Sequence, residues 1–232
     1  MNRSADSAPT GCPLHTARQP ADTAQRRQAD ETGQDTRNGQ TERAGAEEAE
    51  VLRATRTWLE QAVIGLNLCP FANATVRKNR LRMVVSQAKD PSALLAELRE
   101  ALQDLQDTPE DTLETTLLIC PRLLSDFLDF NDFLDRADAL LTQLGLNGTF
   151  QIASFHPQYQ FAGTAPEDIG NATNRSPYPT LHLLRESSID RAVAAWKGDT
   201  VQIFENNIAR LEALGEDGWR ELARQWQPPR TS

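Results

Sequence analysis

Residues 115–155 read TTLLICPRLLSDFLDFNDFLDRADALLTQLGLNGTFQIASF, and this stretch decides the fold class. Its first six residues form a nearly continuous apolar run, which is typical of a strand buried on both faces. Apolar residues then recur at helical spacing from Ser125 to Leu144, and Gly145 is placed to end that helix. Thr149 to Phe155 predicts the next strand. A strand, a long helix and a strand in succession indicate a parallel crossover.

The same alternation continues upstream of this stretch. A helical face of apolar residues runs from Ala46 to Leu66, and Leu81 to Ser86 predicts a short strand. Asp90 followed by Pro91 is a favourable helix start, because Asp caps free N–H groups and proline fits the first turn.

Downstream, the segment Thr180 to Leu184 fits either a short strand or a helical turn. Helices are predicted to begin at Ser187, Asp199 and Asp217, with Gly215 ending the second of them. The predicted fold class is therefore α/β, with a small, mostly parallel sheet of three to four strands and flanking helices. A ferredoxin-like α+β arrangement is the alternative.

Composition predicts the domain organisation and the class of protein. Residues 1–45 hold no aromatic residue, valine or isoleucine, so we expect a disordered tail there and a single α/β domain over 46–227. The tail lacks a signal peptide's apolar centre, and no run approaches the ~20 apolar residues of a membrane span. We therefore predict a cytoplasmic protein with no membrane partner. The net charge of -9 disfavours nucleic acid as a partner. Nothing in the pattern indicates the oligomeric state.

Three reactive side chains share one local setting, because Cys69, Cys120 and His156 each follow an apolar segment and each precede a proline. Proline cannot continue a strand's hydrogen bonding, so these side chains should lie at the rim of the fold. If the strands ending at Cys120 and His156 are parallel neighbours, both residues reach the edge where α/β sheets bind ligands. Antiparallel strands would separate them.

Such a set supports two kinds of chemistry. Cys69 could act as a catalytic nucleophile with His156 as its base. Alternatively, Cys69, Cys120, His156 and His182 would form a metal site of a composition that suits zinc or iron. Structural interpretations stand beside both: Cys120 as a buried apolar residue, and each His as a hydrogen-bonded structural residue.

The loop between the third strand and Thr180 carries the candidate ligand-binding residues. Asn171, Asn174, Arg175 and Tyr178 lie in a polar and aromatic segment that is costly to order, which favours a functional role. Arg175 can bind a carboxylate or phosphate, so an anionic small molecule is the expected partner. The structural alternative is that the amides hold turns and Arg175 pairs with Asp168 or Glu186.

Four segments are distinctive in combination: LNLCPFA (66–72), LICP (118–121), FHPQYQF (155–161) and NRSPYPTLH (174–182). Together they resemble a bacterial family, domain-of-unknown-function family 1415, over about Val51 to Trp196. The resemblance implies a single cytoplasmic domain and no established activity, cofactor or substrate.

The residues leave open whether the protein is an enzyme. One hypothesis is an enzyme or enzyme-like binder of small molecules with a site of Cys69, Cys120, His156, Arg175 and His182. The alternative is a non-catalytic interaction domain that docks a partner protein through the 156–182 loop. A third hypothesis, redox sensing, needs Cys69 and Cys120 within about 7 Å between their Cα atoms.

Overall fold

A computed structural model describes residues 42–195 and 200–227 of the chain. The chain divides into two compact units, Met1–Gly45 and Ala46–Ser232. Of the first unit only residues 42–45 are described, and they are helical. The rest of the predicted tail, and the predicted helix start at Asp199, lie outside the described residues.

The second unit has the three predicted strands and the helices between them in the predicted order; the short helix Ala72–Arg77 was not predicted, and the ambiguous segment from Thr180 forms a strand. Helix α1 (46–58 in this unit) continues into a π-helical turn, Leu59–Ile64. There follow α2 (Ala72–Arg77), β1 (Leu81–Val85), α3 (Pro91–Asp107), β2 (Thr115–Ile119), α4 (Phe127–Gln143) and β3 (Phe150–Phe155). The C-terminal part comprises a 3-10 helix (Ile169–Asn174), β4 (Thr180–Arg185), α5 (Glu186–Ala195) and α6 (Thr200–Ala223).

Aspartate side chains determine where the two long helices begin. The Oδ1 atom of Asp90 accepts hydrogen bonds from the N–H groups of Ser92 and Ala93, both at 2.9 Å, and Pro91 occupies the first turn as predicted. Asp126 caps α4 in the same way, so this helix begins at Phe127 rather than at Ser125.

The sheet has four strands in the order β1-β2-β4-β3, and it is mixed. β1 and β2 are parallel, whereas β4 is antiparallel to both β2 and β3. The prediction of a mostly parallel sheet is therefore wrong, although the α/β class is confirmed. The reason is that the loop 156–179 contains no crossover helix, so the chain turns back and β4 runs in the reverse direction. The strand and helix order also differs from the β-α-β-β-α-β order of ferredoxin-like folds.

Two apolar layers cover the two faces of the sheet. Alternate residues of β2 point to opposite faces, so Leu118 packs among α3 and α4 residues while Leu117 and Ile119 pack against α1. Trp58 of α1 is only 2% exposed, and Trp226, which follows α6, joins the same layer.

The C-terminal helix α6 contains a break at Gly215, whose φ of 71° is left-handed. This break confirms the prediction that a helix ends at Gly215. A search of the described residues for a helix both long and apolar enough to cross a membrane found none.

Candidate functional site

A cavity of about 310 Å³ lies between α1 and one face of the sheet. We call it the helix–sheet cavity. Its lining is mainly apolar, and Glu114 is its one formally charged residue among those the structure describes. The lining also includes Cys69 and His182. The cavity lining includes Trp58, Leu59, Val63, Cys69, Phe71, Glu114, Thr115, Ala153, Phe155, His182 and Ala192.

Residues of β2, β3 and β4 that point to the same face of the sheet form the inner wall of the helix–sheet cavity. His182 of β4 is in register with Leu117 of β2 and Ala153 of β3, and all three line the cavity. The outer walls come from the short helices α2 and α5, neither of which has a fully buried residue. The cavity is thus rigid on the sheet side and less tightly packed on the outside.

An unusual backbone segment leads to Cys69. The π-helical turn Leu59–Ile64 supplies Leu59 and Val63 to the cavity wall. It is followed by Asn67 in a left-handed conformation, with φ at 52°. Both features are uncommon and cost conformational energy, and both are found preferentially near functional sites. Together they turn the chain so that Cys69 reaches the cavity immediately before α2.

Cys69 is half-buried and has no disulfide partner. Burial raises the pKa of its thiol, while hydrogen bonding from the backbone N–H groups of Phe71 and Ala72 partly offsets that rise. The thiol is therefore protonated at neutral pH, so it does not carry the resting negative charge of an activated nucleophile.

His182 lies in the middle of the sheet with one nitrogen in a hydrogen-bond chain. The Thr115 hydroxyl donates to the Leu183 carbonyl at 2.6 Å and lies 2.7 Å from His182 Nε2. Because the hydroxyl has a single hydrogen, Nε2–H must be the donor to Thr115, which leaves Nδ1 as an acceptor. No described residue forms a hydrogen bond with Nδ1. Burial lowers the pKa of His182 to about 4, so the ring is neutral at neutral pH.

Cys120 and His156 lie away from the helix–sheet cavity. Cys120 packs in the layer of α3 and α4, where burial raises the pKa of its thiol to about 12. The ring of His156 lies 5.1 Å from that of Phe130 on α4, between ring centroids. Its Nδ1 accepts from the Gln158 N–H, so Nε2–H donates to the Leu124 carbonyl, both at 3.0 Å. Burial lowers the pKa of this imidazole as well.

The structure therefore divides the predicted set of four residues into two pairs. The prediction required β2 and β3 to be parallel neighbours; they run in the same direction, but β4 lies between them. Cys120 and His156 belong to the α3 and α4 side, whereas Cys69 and His182 line the cavity on the opposite face. The described residues contain no group of three or more His, Cys, Asp or Glu able to hold a metal ion.

The predicted ligand-binding residues of the 156–179 loop mostly bind the loop itself. The buried Asn171 accepts from the Phe161 N–H and the Thr164 hydroxyl and donates to the Ala165 carbonyl. Asn174 donates to the Ser154 carbonyl at 3.1 Å. These amide contacts are internal to the fold and close the loop against β3.

Arg175 and Tyr178 lie apart from each other. The Arg175 guanidinium donates to the carbonyls of Tyr159 and Pro166, and it lines a separate cleft of about 450 Å³ beside Trp219. Tyr178 packs half-buried in the α1 layer, and burial raises the pKa of its phenol. The residues predicted to bind one ligand are thus spread over several surfaces.

Sequence reasoning missed four residues that the structure associates with this region. Trp58, Glu114 and Thr115 line the helix–sheet cavity. The buried Asn207 of α6 donates to the Leu68 carbonyl beside Cys69 at 2.8 Å. Thr115 gave a usable signal, because strand alternation places it on the face of Leu117. Asn207 gave none, because its partner lies far away along the chain.

A comparison with protein-family models finds a match to a protein family of unknown function, DUF1415, over residues 50–221. Searches of curated proteins and of solved structures found no match. The family match spans well over half of the chain and includes every residue of the helix–sheet cavity. The chain therefore belongs to the DUF1415 family.

Proposed function

We propose that this domain binds a small, largely apolar molecule in the helix–sheet cavity. The observation that carries the proposal is the cavity itself, which has about 310 Å³ of space and an apolar lining broken by a few polar atoms. Small-molecule sites in proteins have this composition, with apolar walls that supply affinity and isolated polar groups that orient the ligand.

His182 supports this proposal because its Nδ1 atom lacks a partner. A ligand that donates a hydrogen bond can use this acceptor at the cavity wall. The π-helical turn and the left-handed Asn67 are consistent with the same site, because both features cost stability next to the cavity.

Catalysis by Cys69 remains a hypothesis, with His182 in place of His156 as the base. Within the helix–sheet cavity the nearby base is His182 rather than His156, and both groups are neutral at rest. A thiolate would have to form after a substrate had entered and changed the polarity of the cavity. The anionic ligand of Arg175 and the docking role of the 156–182 loop concern other surfaces and remain predictions.

Filling the cavity tests the binding proposal. Ala192 of α5 lines the cavity, whereas Ala194 on the same helix is exposed and does not. We expect the uncharged dye N-phenylnaphthylamine to bind the unmodified protein with a saturable rise in fluorescence. Ala192→Phe should weaken this binding about tenfold or more, because the ring occupies the ligand's space. The measurement is a fluorescence titration.

Ala194→Phe is the matched control, since it adds the same ring to the same helix outside the cavity. It should bind the dye as the unmodified protein does, and circular dichroism should show all three proteins folded. Absence of saturable dye binding, or equal weakening by both substitutions, would contradict a binding site in this cavity.

A further inference from the structure

The charges and aromatic groups around the helix–sheet cavity indicate the class of its ligand. Among the described residues, no lysine or arginine lines the cavity, and Glu114 is its one formal charge. An anionic ligand would lie against the Glu114 carboxylate with no cation in the cavity lining to compensate, which is costly. The field inside the cavity therefore favours a cation.

The Glu114 carboxylate is available to such a ligand. Glu114 precedes β2, and its backbone N–H donates to the Arg80 carbonyl at 2.8 Å, which fixes the residue at the cavity wall. Its side chain has no hydrogen bond and no ion pair within 4.0 Å among the described residues. The charge of Glu114 acts on Arg185 nearby, but the guanidinium of Arg185 is engaged by three backbone carbonyls.

Aromatic side chains supply a second attraction for a cation. Trp58, Phe71 and Phe155 all line the cavity, and the rings of Trp58 and Phe155 lie 5.2 Å apart between centroids. Aromatic rings attract ammonium groups through their quadrupoles, and tryptophan does so most strongly. His182 adds a neutral acceptor, Nδ1, that can take an N–H hydrogen bond.

We propose that the ligand is an organic amine, with an ammonium group that pairs with Glu114 and an apolar substituent that fills the helix–sheet cavity. This inference rests on the proposed function, because it names the ligand class of the same cavity. Two acceptors, three aromatic residues and the lack of a lining cation all indicate the same chemistry. The net charge of the chain, -9, favours the approach of a cation over that of an anion.

Three probes of similar size and different charge test this inference. Phenethylamine, phenethyl alcohol and phenylacetate share an aromatic ring, and at neutral pH they are respectively a cation, neutral and an anion. We expect phenethylamine to displace N-phenylnaphthylamine at concentrations about tenfold lower than phenylacetate, with the alcohol in between. Equal displacement by the alcohol or the acid would overturn the amine assignment while leaving a cavity that binds apolar molecules.

Glu114→Gln tests the role of the carboxylate. We expect this variant to lose most of the preference for the amine, with binding of the alcohol unchanged. Glu100→Gln, at an exposed position on α3, removes the same charge and should keep the preference. A preference that persists in Glu114→Gln would overturn the inference. Failure of the dye itself to bind would instead overturn the proposed function, and the inference with it, so the two failures are distinguishable.

Discussion

His182 shows how one side chain can serve both the sheet and the cavity. Its Nε2–H belongs to a hydrogen-bond chain through Thr115 to the Leu183 carbonyl, which fixes the ring and its tautomer. Desolvation by burial keeps the ring uncharged at neutral pH. A cationic ligand in the cavity is therefore not repelled by this histidine.

This burial should make stability depend on pH. Unfolded histidine takes up a proton near pH 6.5, whereas His182 in the folded protein does so only near pH 4. Between these pH values the unfolded state binds more protons than the folded state. The stabilisation that neutral His182 contributes is therefore complete above about pH 6.5 and is lost as the pH falls toward 4. We expect this one residue to lower the free energy of unfolding by about 2 kcal/mol between pH 7 and pH 5.

Urea titrations at the two pH values measure that loss. His182→Gln keeps a donor near Thr115 but cannot titrate, so its free energy of unfolding should fall by about 2 kcal/mol less over the same range. Other groups, including His156, contribute equally to both proteins and cancel in the comparison. An identical pH dependence in the two proteins would show that His182 is not held neutral by burial.

Two side chains of α6 form hydrogen bonds with the segment that leads to Cys69. The Asn207 amide donates to the Leu68 carbonyl at 2.8 Å, and Arg210 donates to the Asn67 carbonyl at 2.9 Å. Asn67 is left-handed, and its N–H donates to the Ile64 carbonyl at 2.9 Å where the π-helical turn ends. The contacts from α6 therefore hold the position at which the chain turns toward the cavity.

Asn207→Ala should loosen this segment. We expect a loss of about 1–2 kcal/mol in the free energy of unfolding, because a buried carbonyl loses its donor. We also expect faster modification of Cys69 by a thiol reagent in the folded protein. Asn206→Ala is the matched control, because the Asn206 side chain is exposed. This variant should change neither the free energy of unfolding nor the rate of Cys69 modification. Equal reactivity of Cys69 in both variants would show that α6 does not hold this segment.

Arg185 joins the end of β4 to the end of α3 and to the connection between α3 and β2. Its guanidinium donates to the carbonyls of Leu105, Thr108 and Leu113, which lie at the end of α3 and in the connection to β2. It also lies over the Phe150 ring, at 5.5 Å from the centroid. One side chain thus donates hydrogen bonds both to α3 and to the connection that follows it.

Arg185→Lys should be costly despite keeping the charge. A lysine ammonium is a compact group that cannot reach the three carbonyls in the same geometry, so some would lose their donor. We expect a loss of about 1–3 kcal/mol in the free energy of unfolding, measured by urea titration. The same change at the exposed Arg220 should cost less than about 0.5 kcal/mol. Similar values for the two variants would contradict the structural role of Arg185.

Local sequence signals were enough for the first three strands, the helices between them and the break at Gly215, but not for α2 or β4. Helical spacing, the cap at Asp90 with Pro91 and the glycine at 215 are local signals, so they survive in any tertiary context. The alternation of strands and helices was sufficient for the α/β class. The segments LNLCPFA and NRSPYPTLH were sufficient for the family, because they carry residue identities as well as a pattern.

Only the tertiary structure decided the direction of β4 and the grouping of the reactive residues. The loop 156–179 could have led to either edge of the sheet, and its path depends on contacts distant in sequence, such as the bond from the His156 N–H to the Asn174 carbonyl. The antiparallel β4 placed His182 in the wall of the cavity with Cys69, while Cys120 and His156 packed on the opposite face. Spacing along the chain cannot predict which sheet face a distant residue shares, because that depends on strand pairing and register.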